Sequence, residues 1–363
     1  MPAEPPGAVL HYVGYDVDRG GILAVIRAVA AENEFPCVLG VNPNFQPERS
    51  RAVPLLRLPA IAGDTISAGT LLRARRVARE VVNWLAADPT RVFHGHSRAG
   101  LLVALWLKRM GEKRVAATVH CYGRRRWFYR WAAGQLRGHI FWLSPAMRRY
   151  YGGQDQGWDD CLPPCIPIRA LTEKTPRRES RAVCFGCVGA LVPVKQWELV
   201  LQAFAQIPRD VPLRIIHAGS DDGTPESRCH GERLRRQSAQ PDIAGRFEWR
   251  GEVSDMPAFF RELDCLIVPS RWEAFSVAAL EAAAAHVPCL AADGAGNRDL
   301  VETARAGWLF APDSADDLAS KLIELAQGAA WKMWGRDDAA LLRFTAPVVA
   351  AQHVQMYRRL SRG

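Results

Sequence analysis

Pro269-Ser-Arg-Trp-Glu-Ala-Phe-Ser-Val-Ala-Ala-Leu-Glu281 is the stretch on which the reading of this chain turns. It starts at the end of Cys265–Pro269, an apolar run with the length of a buried strand, and passes through a short loop into a small-residue helix. Two carboxylates stand eight residues apart, Glu273 on the loop and Glu281 in the helix. Ser276 sits where a helix N-cap belongs. The amides that follow a cap lack intrahelical partners and can face an anion. A carboxylate on such a helix suits the diol of a sugar.

Upstream, Val188-Gly-Ala-Leu-Val-Pro-Val-Lys195-Gln-Trp repeats the pattern of a strand, a glycine turn and a helix start. A lysine at that point can neutralise a diphosphate beside a helix N-terminus; a solvated surface lysine is the plainer alternative. The same alternation runs on both sides. Val183–Gly189, Leu213–Ala218, Phe247–Trp249, Cys265–Pro269 and Cys289–Ala292 read as strands, with helices at Trp197–Ile207, Glu232–Gln240, Met256–Arg261 and Val277–His286 between them. Earlier, Ala8–Tyr15, Cys37–Val41, Val53–Leu58, Arg91–His96, Arg114–His120 and Ile140–Leu143 alternate with helices at Ile22–Glu32, Leu71–Ala86, Gly100–Arg109 and Arg126–Leu136. Tyr151–Arg181 breaks the rhythm and reads as a linker. The pattern predicts two consecutive doubly wound α/β domains, whose ligands bind at the carboxyl ends of the strands, so that two facing sheets would enclose a cleft.

Length and composition agree. The 363 residues suit two domains, and 48% hydrophobic with 23% charged residues is a folded, soluble composition. No apolar run approaches the 18–20 residues of a membrane span, and the opening Met-Pro-Ala-Glu-Pro-Pro lacks the pattern of a signal peptide. Nine scattered cysteines fit a reducing cytoplasm better than a disulfide framework. Cys161-x3-Cys165 with Cys184-x2-Cys187 has zinc-like spacing, but Cys184 and Cys187 fall in a strand, where positions three apart point to opposite faces. The net charge of +9 is uneven: residues 1–170 hold 23 Lys/Arg and 13 Asp/Glu, and residues 171–363 hold 24 and 25.

Together these motifs resemble the retaining GT-B glycosyltransferases of family 4, the glycosyl transferases group 1. The resemblance covers most of residues 183–325. It runs through Gly189 to Lys195, Ala218-Gly219, Phe247 to Val253 with Gly251, Asp264 to Ser270, Glu273 to Glu281, Asp293 to Val301, and Gly307-Trp-Leu-Phe310. It implies an α/β fold of two Rossmann-like domains facing across a cleft. The expected boundaries are 1–165 for the acceptor domain, 166–344 for the nucleotide-sugar domain, and 345–363 for a helix returning to the first. It further implies that Glu281 binds the ribose hydroxyls, that Glu273 with the Ala274, Phe275 and Ser276 backbone meets the transferred sugar and phosphates, and that Lys195 contacts the diphosphate. Gly189 belongs to the same donor loop. Gly20-Gly21 resembles the glycine loop near donor and acceptor, although a plain turn reads the same way. His120, ending a strand, stands where the family often has a histidine facing the reacting sugar; a strand-capping role is the alternative, and His94 and His96 are weaker candidates. Two departures stand out. Ala190 replaces an arginine usual beside the first glycine, with Arg271 and Arg298 as candidate substitutes, and Glu-Ala-Phe-Ser replaces Glu-Gly-Phe-Gly.

By that resemblance the expected activity is transfer of a sugar from a nucleotide-sugar to a surface-glycan or lipid-linked acceptor, with no metal and no cofactor. Two other readings stay open. One is an α/β-hydrolase using Ser97, from the Gly95-His-Ser97-Arg-Ala sequence at a strand-to-helix turn. The other is a donor-binding homologue inactive for want of the arginine. Asp16-Val-Asp18 has the Asp-x-Asp form of a metal motif, but on the first loop it reads as a solvated turn. Arg124, Arg125, Arg126, Arg130, Arg137, Arg148 and Arg149 are interleaved with Trp127, Phe128, Tyr129, Trp131 and Trp142 and with no acid. That suits an anionic membrane surface or a phosphorylated glycolipid, with a solvated helix face as the alternative. No nucleic-acid motif is present. The expected location is cytoplasmic, peripheral at the inner face of the cell membrane.

Overall fold

The computed structural model describes residues 7–18, 20–32, 35–50, 52–61, 67–123, 125–154, 156–167, 182–328, 331 and 334–362. The chain divides into two compact units: Met1–Pro167 with Arg343–Gly363, and Ile168–Leu342.

The first unit is built on six parallel strands, β1 (Val9–Tyr12), β2 (Cys37–Val41), β3 (Leu55–Arg57), β4 (Val92–Gly95), β5 (Val115–Val119) and β6 (Ile140–Trp142), in the order β3-β2-β1-β4-β5-β6. β1, β4, β5 and β6 are buried along their whole length, as expected of a parallel sheet covered on both faces. Strand order reverses at β1 and β4, so the loops after these two strands diverge and leave a crevice. The crossover helices are locally encoded. Ser67 and Thr70 form a capping box for Ala68–Ala86, and Ser97 caps Arg98–Arg109 by accepting from Gly100 N.

The second unit repeats the design with β7 (Val183–Val188), β8 (Leu213–Ala218), β9 (Phe247–Gly251), β10 (Cys265–Val268), β11 (Cys289–Ala292) and β12 (Gly307–Phe310). Their order, β12-β11-β10-β7-β8-β9, again reverses between the first and fourth strand of the unit, here β7 and β10. Its core joins Phe185, Cys187, Ile215 and Ile267 of the sheet to Val200, Phe204, Leu318 and Leu322 of the covering helices.

The C-terminal helix Ala346–Ser361 belongs to the first unit. Val349 and Ala350 pack on Val25 and Val29 of the helix Gly21–Glu32, and Met356, Tyr357 and Leu360 pack on Val9, Val92, Ala116 and Phe141 of the sheet. Each fully buried Val, Leu, Phe or Met among them contributes about 1.5–3 kcal/mol of transfer free energy. The chain arrives there through Ile166, which pairs with Phe344 O and Ala346 N at 2.9 and 2.8 Å.

Several elements differ from the sequence reading. The expected linker Tyr151–Arg181 is structured through Pro167: Cys161 bridges to Trp142, and Ile166 to Thr345. Residues 168–181 lie outside the described set. A short helix, Pro145–Tyr150, follows β6 under a Ser144 cap. The helix expected from Glu232 starts at Pro225 under Thr224, because proline at the first turn costs no hydrogen bond. Strand β12 extends the second sheet beyond the last strand that alternation suggested. Cys184 and Cys187 lie in β7, and burial pushes the Cys184 thiol up to about 11 and the Cys187 thiol higher still.

Candidate functional site

The switch point of the second unit gathers the donor candidates. Gly189 ends β7 at φ 148° and Gly219 ends β8 at φ 139°; a Cβ on Gly219 would lie 2.0 Å from Gly189 O. Glycine is therefore required for the two strand ends to approach. The chain then forms the tight turn Pro193–Lys195, and the indole of Trp197 donates to Ala190 O at 2.9 Å, pinning the loop. From the end of that turn Lys195 Nζ reaches Glu273 Oε2 at 2.8 Å, across 78 residues of sequence. Ser270 Oγ donates to the same carboxylate oxygen at 2.7 Å.

The loop carrying Glu273 is held from two sides. Gln196 accepts from Arg271 N at 2.8 Å and donates to Asp313 at 2.8 Å, while Arg271 pairs with Asp313 at 2.7 Å. On the other side Asn297 donates to Ser270 O and Ala292 O. Gly296 lies so close that a Cβ there would meet Ala274 O at 2.2 Å and Glu273 O at 2.5 Å. Ala274, Phe275 and Ser276 are buried. Ser276 caps Val277–Ala284, accepting from Ala279 N at 3.2 Å. One turn in, burial pushes the Glu281 carboxyl up to about 7. Lys195, Glu273 and Gly189 thus share one end of the sheet with the capped helix start. Arg271 and Arg298, the candidates to replace the arginine absent at Ala190, are both held by carboxylates: Arg271 by Asp313, and Arg298 by Asp293 and Glu302.

In the first unit Gly20 takes φ 101° directly before the helix Gly21–Glu32, of which Gly21 is the first residue. The loop before it is not a solvated turn. Asp18 is 1% exposed and accepts from Glu48, Arg49 and Ser50 amides at 2.6–3.0 Å, from Ser50 Oγ at 2.8 Å and from Arg27 at 2.9 Å. Burial alone would raise its carboxyl; those hydrogen bonds outweigh it and hold it below the usual carboxylate range. Asp18 is therefore the anchor of this loop, which corrects the sequence reading. Ser97 spends its hydroxyl on the Gly100 amide, and Gly95 and Gly100 are in backbone contact, each too close to the other for a Cβ.

His120 follows β5 and is partly exposed, with Nε2 3.2 Å from His96 Nδ1. Burial, with the nearby His353 second, pulls its pKa down to about 3, so the ring is neutral at pH 7. His96 in turn meets His11 at 2.9 Å, and His94 lies between Tyr357 OH at 2.6 Å and Thr118 Oγ1 at 2.7 Å. The sequence reading singled out neither His11 nor Ser270 and Asn297. The alternation His94-x-His96 with Thr118-x-His120 was the available signal, since residues two apart share a sheet face.

The basic segment is partly internal. Phe128, Tyr129 and Trp142 are buried, as is Arg148, whose guanidinium donates to Gly157 O at 2.7 Å and to Asp159 O. Arg125, Arg126, Arg130, Arg137 and Arg149 are exposed, beside Trp127 and Trp131 at 67% and 51% exposure. Arg124 lies outside the described residues. No helix among the described residues is long and apolar enough to cross a membrane.

Two units, each a doubly wound parallel six-stranded sheet with flanking helices, define the α/β GT-B architecture. Residues 182–328 match the family model described as Glycosyl transferases group 1. The lipopolysaccharide core biosynthesis mannosyltransferase LpsB of Rhizobium meliloti is 32% identical over 136 residues, 37% of this chain and 37% of that protein. A D-inositol 3-phosphate glycosyltransferase of Kribbella flavida is 27% identical over 195 residues, 47% of this chain and 46% of that one. The chain thus matches less than half the length of these relatives. Over 97% of its length it resembles the crystal structure of Anabaena HepE in complex with UDP and glucose, with 99% of that chain covered, a TM-score of 0.73 and 17% identity.

Proposed function

We propose that the protein is a retaining glycosyltransferase that moves a hexose from a nucleoside diphosphate sugar to a surface-glycan or lipid-linked acceptor, of cell-envelope polysaccharide or lipopolysaccharide type. The observation that carries the reading is the Lys195–Glu273 pair at the carboxyl ends of β7 and β10. It places one cation and one carboxylate beside a capped helix start, where a diphosphate and a sugar bind in a doubly wound sheet. The acceptor class draws on the named activity of the mannosyltransferase relative.

In this reading Lys195 takes the departing diphosphate charge, Glu281 the ribose hydroxyls, and Glu273 with the Ala274–Ser276 backbone the transferred sugar. Positive charge comes from Lys195 and helix N-termini, without a resident metal in the donor site. Retention follows from front-face attack, the leaving phosphate helping to deprotonate the acceptor hydroxyl. His120, neutral at pH 7, hydrogen-bonds a substrate hydroxyl. Exposed Arg125, Arg126, Arg130, Arg137 and Arg149 with Trp127 and Trp131 form the contact to an anionic cytoplasmic membrane face.

Ala190 favours a second reading, a donor-binding homologue without turnover, because Arg271 and Arg298 are both engaged elsewhere. A panel of nucleoside diphosphates and their sugars, read first by thermal shift and then by hydrolysis, separates the two. Stabilisation by one nucleotide with slow hydrolysis of its sugar that retains anomeric configuration supports transfer. Stabilisation without hydrolysis or transfer supports the inactive homologue. No stabilisation by any nucleotide overturns both.

A further inference from the structure

The first sheet carries a histidine cluster that the proposed transfer does not use in full. His11 on β1 is in register with His94 on β4, and His96 lies two residues beyond His94, so all three point from one face. The C-terminal helix covers that face with His353, whose ring lies 5.7 Å from that of His94, and with Tyr357. His11, His94 and His96 are each at most 3% exposed, and one ring nitrogen from each lies within 4.8 Å of the others. Hydrogen bonds engage both ring nitrogens of His94 and of His96 and Nδ1 of His11, but leave His11 Nε2 buried without a partner. A cluster that served packing alone would carry that orphan uncompensated.

We infer that His11, His94 and His96 form a binding site for a borderline first-row divalent ion, with zinc as its natural probe. Three imidazole nitrogens without a thiolate or carboxylate favour Zn²⁺, Cu²⁺ or Ni²⁺ over Mg²⁺ or Ca²⁺. Zinc–nitrogen bonds of about 2.0–2.1 Å put neighbouring donors about 3.3 Å apart. Ligation through His11 Nε2 would satisfy the orphan, while His94 and His96 would each exchange one hydrogen bond for the metal and the donors, now within 4.8 Å of one another, would close in by side-chain rotation. The outer contacts of such a site are already built. His94 meets Tyr357 OH through Nδ1 and Thr118 Oγ1 through Nε2, so a metal would take the place of one of them and leave the other as its outer partner, and His96 has His120 on Nδ1. Outer partners of this kind fix ring orientation at metal sites. Bound metal would tie β1 and β4 together beneath the C-terminal helix and set the position of His120 through His96.

The test uses the full chain without a polyhistidine tag, stripped by chelator and titrated with Zn²⁺ and Co²⁺. The expected result is one equivalent of zinc per chain, a rise in melting temperature of several degrees, and a visible Co²⁺ absorption band of tetrahedral type. His11→Gln and His96→Gln should each lower zinc stoichiometry at least tenfold, while His217→Gln, in the second unit, should leave it unchanged. Should the cluster variants fail to fold by circular dichroism, wild-type zinc-edge absorption decides, with imidazole nitrogens at about 2.0 Å supporting the site. Less than 0.1 equivalent on the wild type, sulfur ligation, or full stoichiometry in folded His11→Gln would each overturn it.

Discussion

Replacing Lys195 by alanine tests the donor site at its most exposed assumption. The ammonium lies 2.8 Å from Glu273 Oε2, with the two side chains 30% and 16% exposed. At an effective dielectric of about 20 that separation gives about 6 kcal/mol of Coulomb attraction. Desolvation and side-chain ordering offset most of it, and partly exposed pairs contribute about 1 kcal/mol or less to folding. Lys195→Ala should therefore melt within a few degrees of the wild type, with Glu273 still held by Ser270. Its effect on the reaction should be much larger. A preorganised donor facing the charge that develops on a leaving group is worth about 2.7–4 kcal/mol in the transition state, or about 10²–10³ in turnover.

The assay is transfer or donor hydrolysis at saturating nucleotide-sugar, with nucleoside diphosphate affinity measured by calorimetry. Glu273→Gln is the informative companion, because it frees the ammonium while removing the carboxylate. Lys195→Ala should weaken diphosphate binding, Glu273→Gln should not, and both should lose turnover. If Lys195→Ala keeps turnover and diphosphate affinity within threefold of the wild type, Lys195 is an ordinary loop lysine and the reasoning from its position fails.

Glu281 has a pH signature. Its carboxyl is raised by burial from 4.5 to about 7, so the native state binds the extra proton and stability falls as pH rises between those values. Glu281→Gln should stabilise the second unit by up to about 3 kcal/mol above pH 7 and by almost nothing below pH 4.5, measured by denaturant titration; equal effects at both would refute the burial argument. Gly296→Ala would push a Cβ into Ala274 O and Glu273 O, costing about 1–3 kcal/mol and at least tenfold in nucleotide affinity. Asp18→Ala should cost about 3 kcal/mol, since it leaves three backbone amides and Arg27 without their acceptor; the wild-type contribution is present above the ordinary aspartate pKa and is lost as pH falls through the lowered native value. Trp127→Ala with Trp131→Ala should reduce co-sedimentation with anionic vesicles at low salt, and equal binding by this variant would remove the aromatic part of the proposed membrane contact.

The two-sheet architecture was legible because parallel strands buried on both faces are continuous apolar runs, and runs such as Cys265–Val268 stand out between turn residues. Boundaries were less so, since caps and prolines set them; Thr224-Pro225 moved one helix start by about two turns. The candidate donor loops stand out in sequence because each motif is local: strand end, glycine, cap. Their meeting does not. Lys195 and Glu273 are brought together by strand order, and order is a property of the sheet, not of either segment.

The same distinction explains the histidines and the charge. His120 was visible at a strand end, whereas His11 sits inside an apolar run and becomes notable only when β1 pairs with β4 in a register that opposes it to His94. The basic segment shows the converse: seven arginines in a row of sequence do not make one surface. Arg148 is inside, spending its guanidinium on two backbone carbonyls, and Phe128 and Tyr129 are core residues. What remains outside is a narrower feature, two projecting tryptophans and exposed arginines on the helix Arg126–Gln135 and its flanks, with Arg149 on the next helix. A surface that pairs cations with amphipathic rings has a use at a lipid headgroup layer that a merely solvated face does not. The positive excess of this chain is therefore best tested through Trp127 and Trp131, whose exposure solvation alone does not explain.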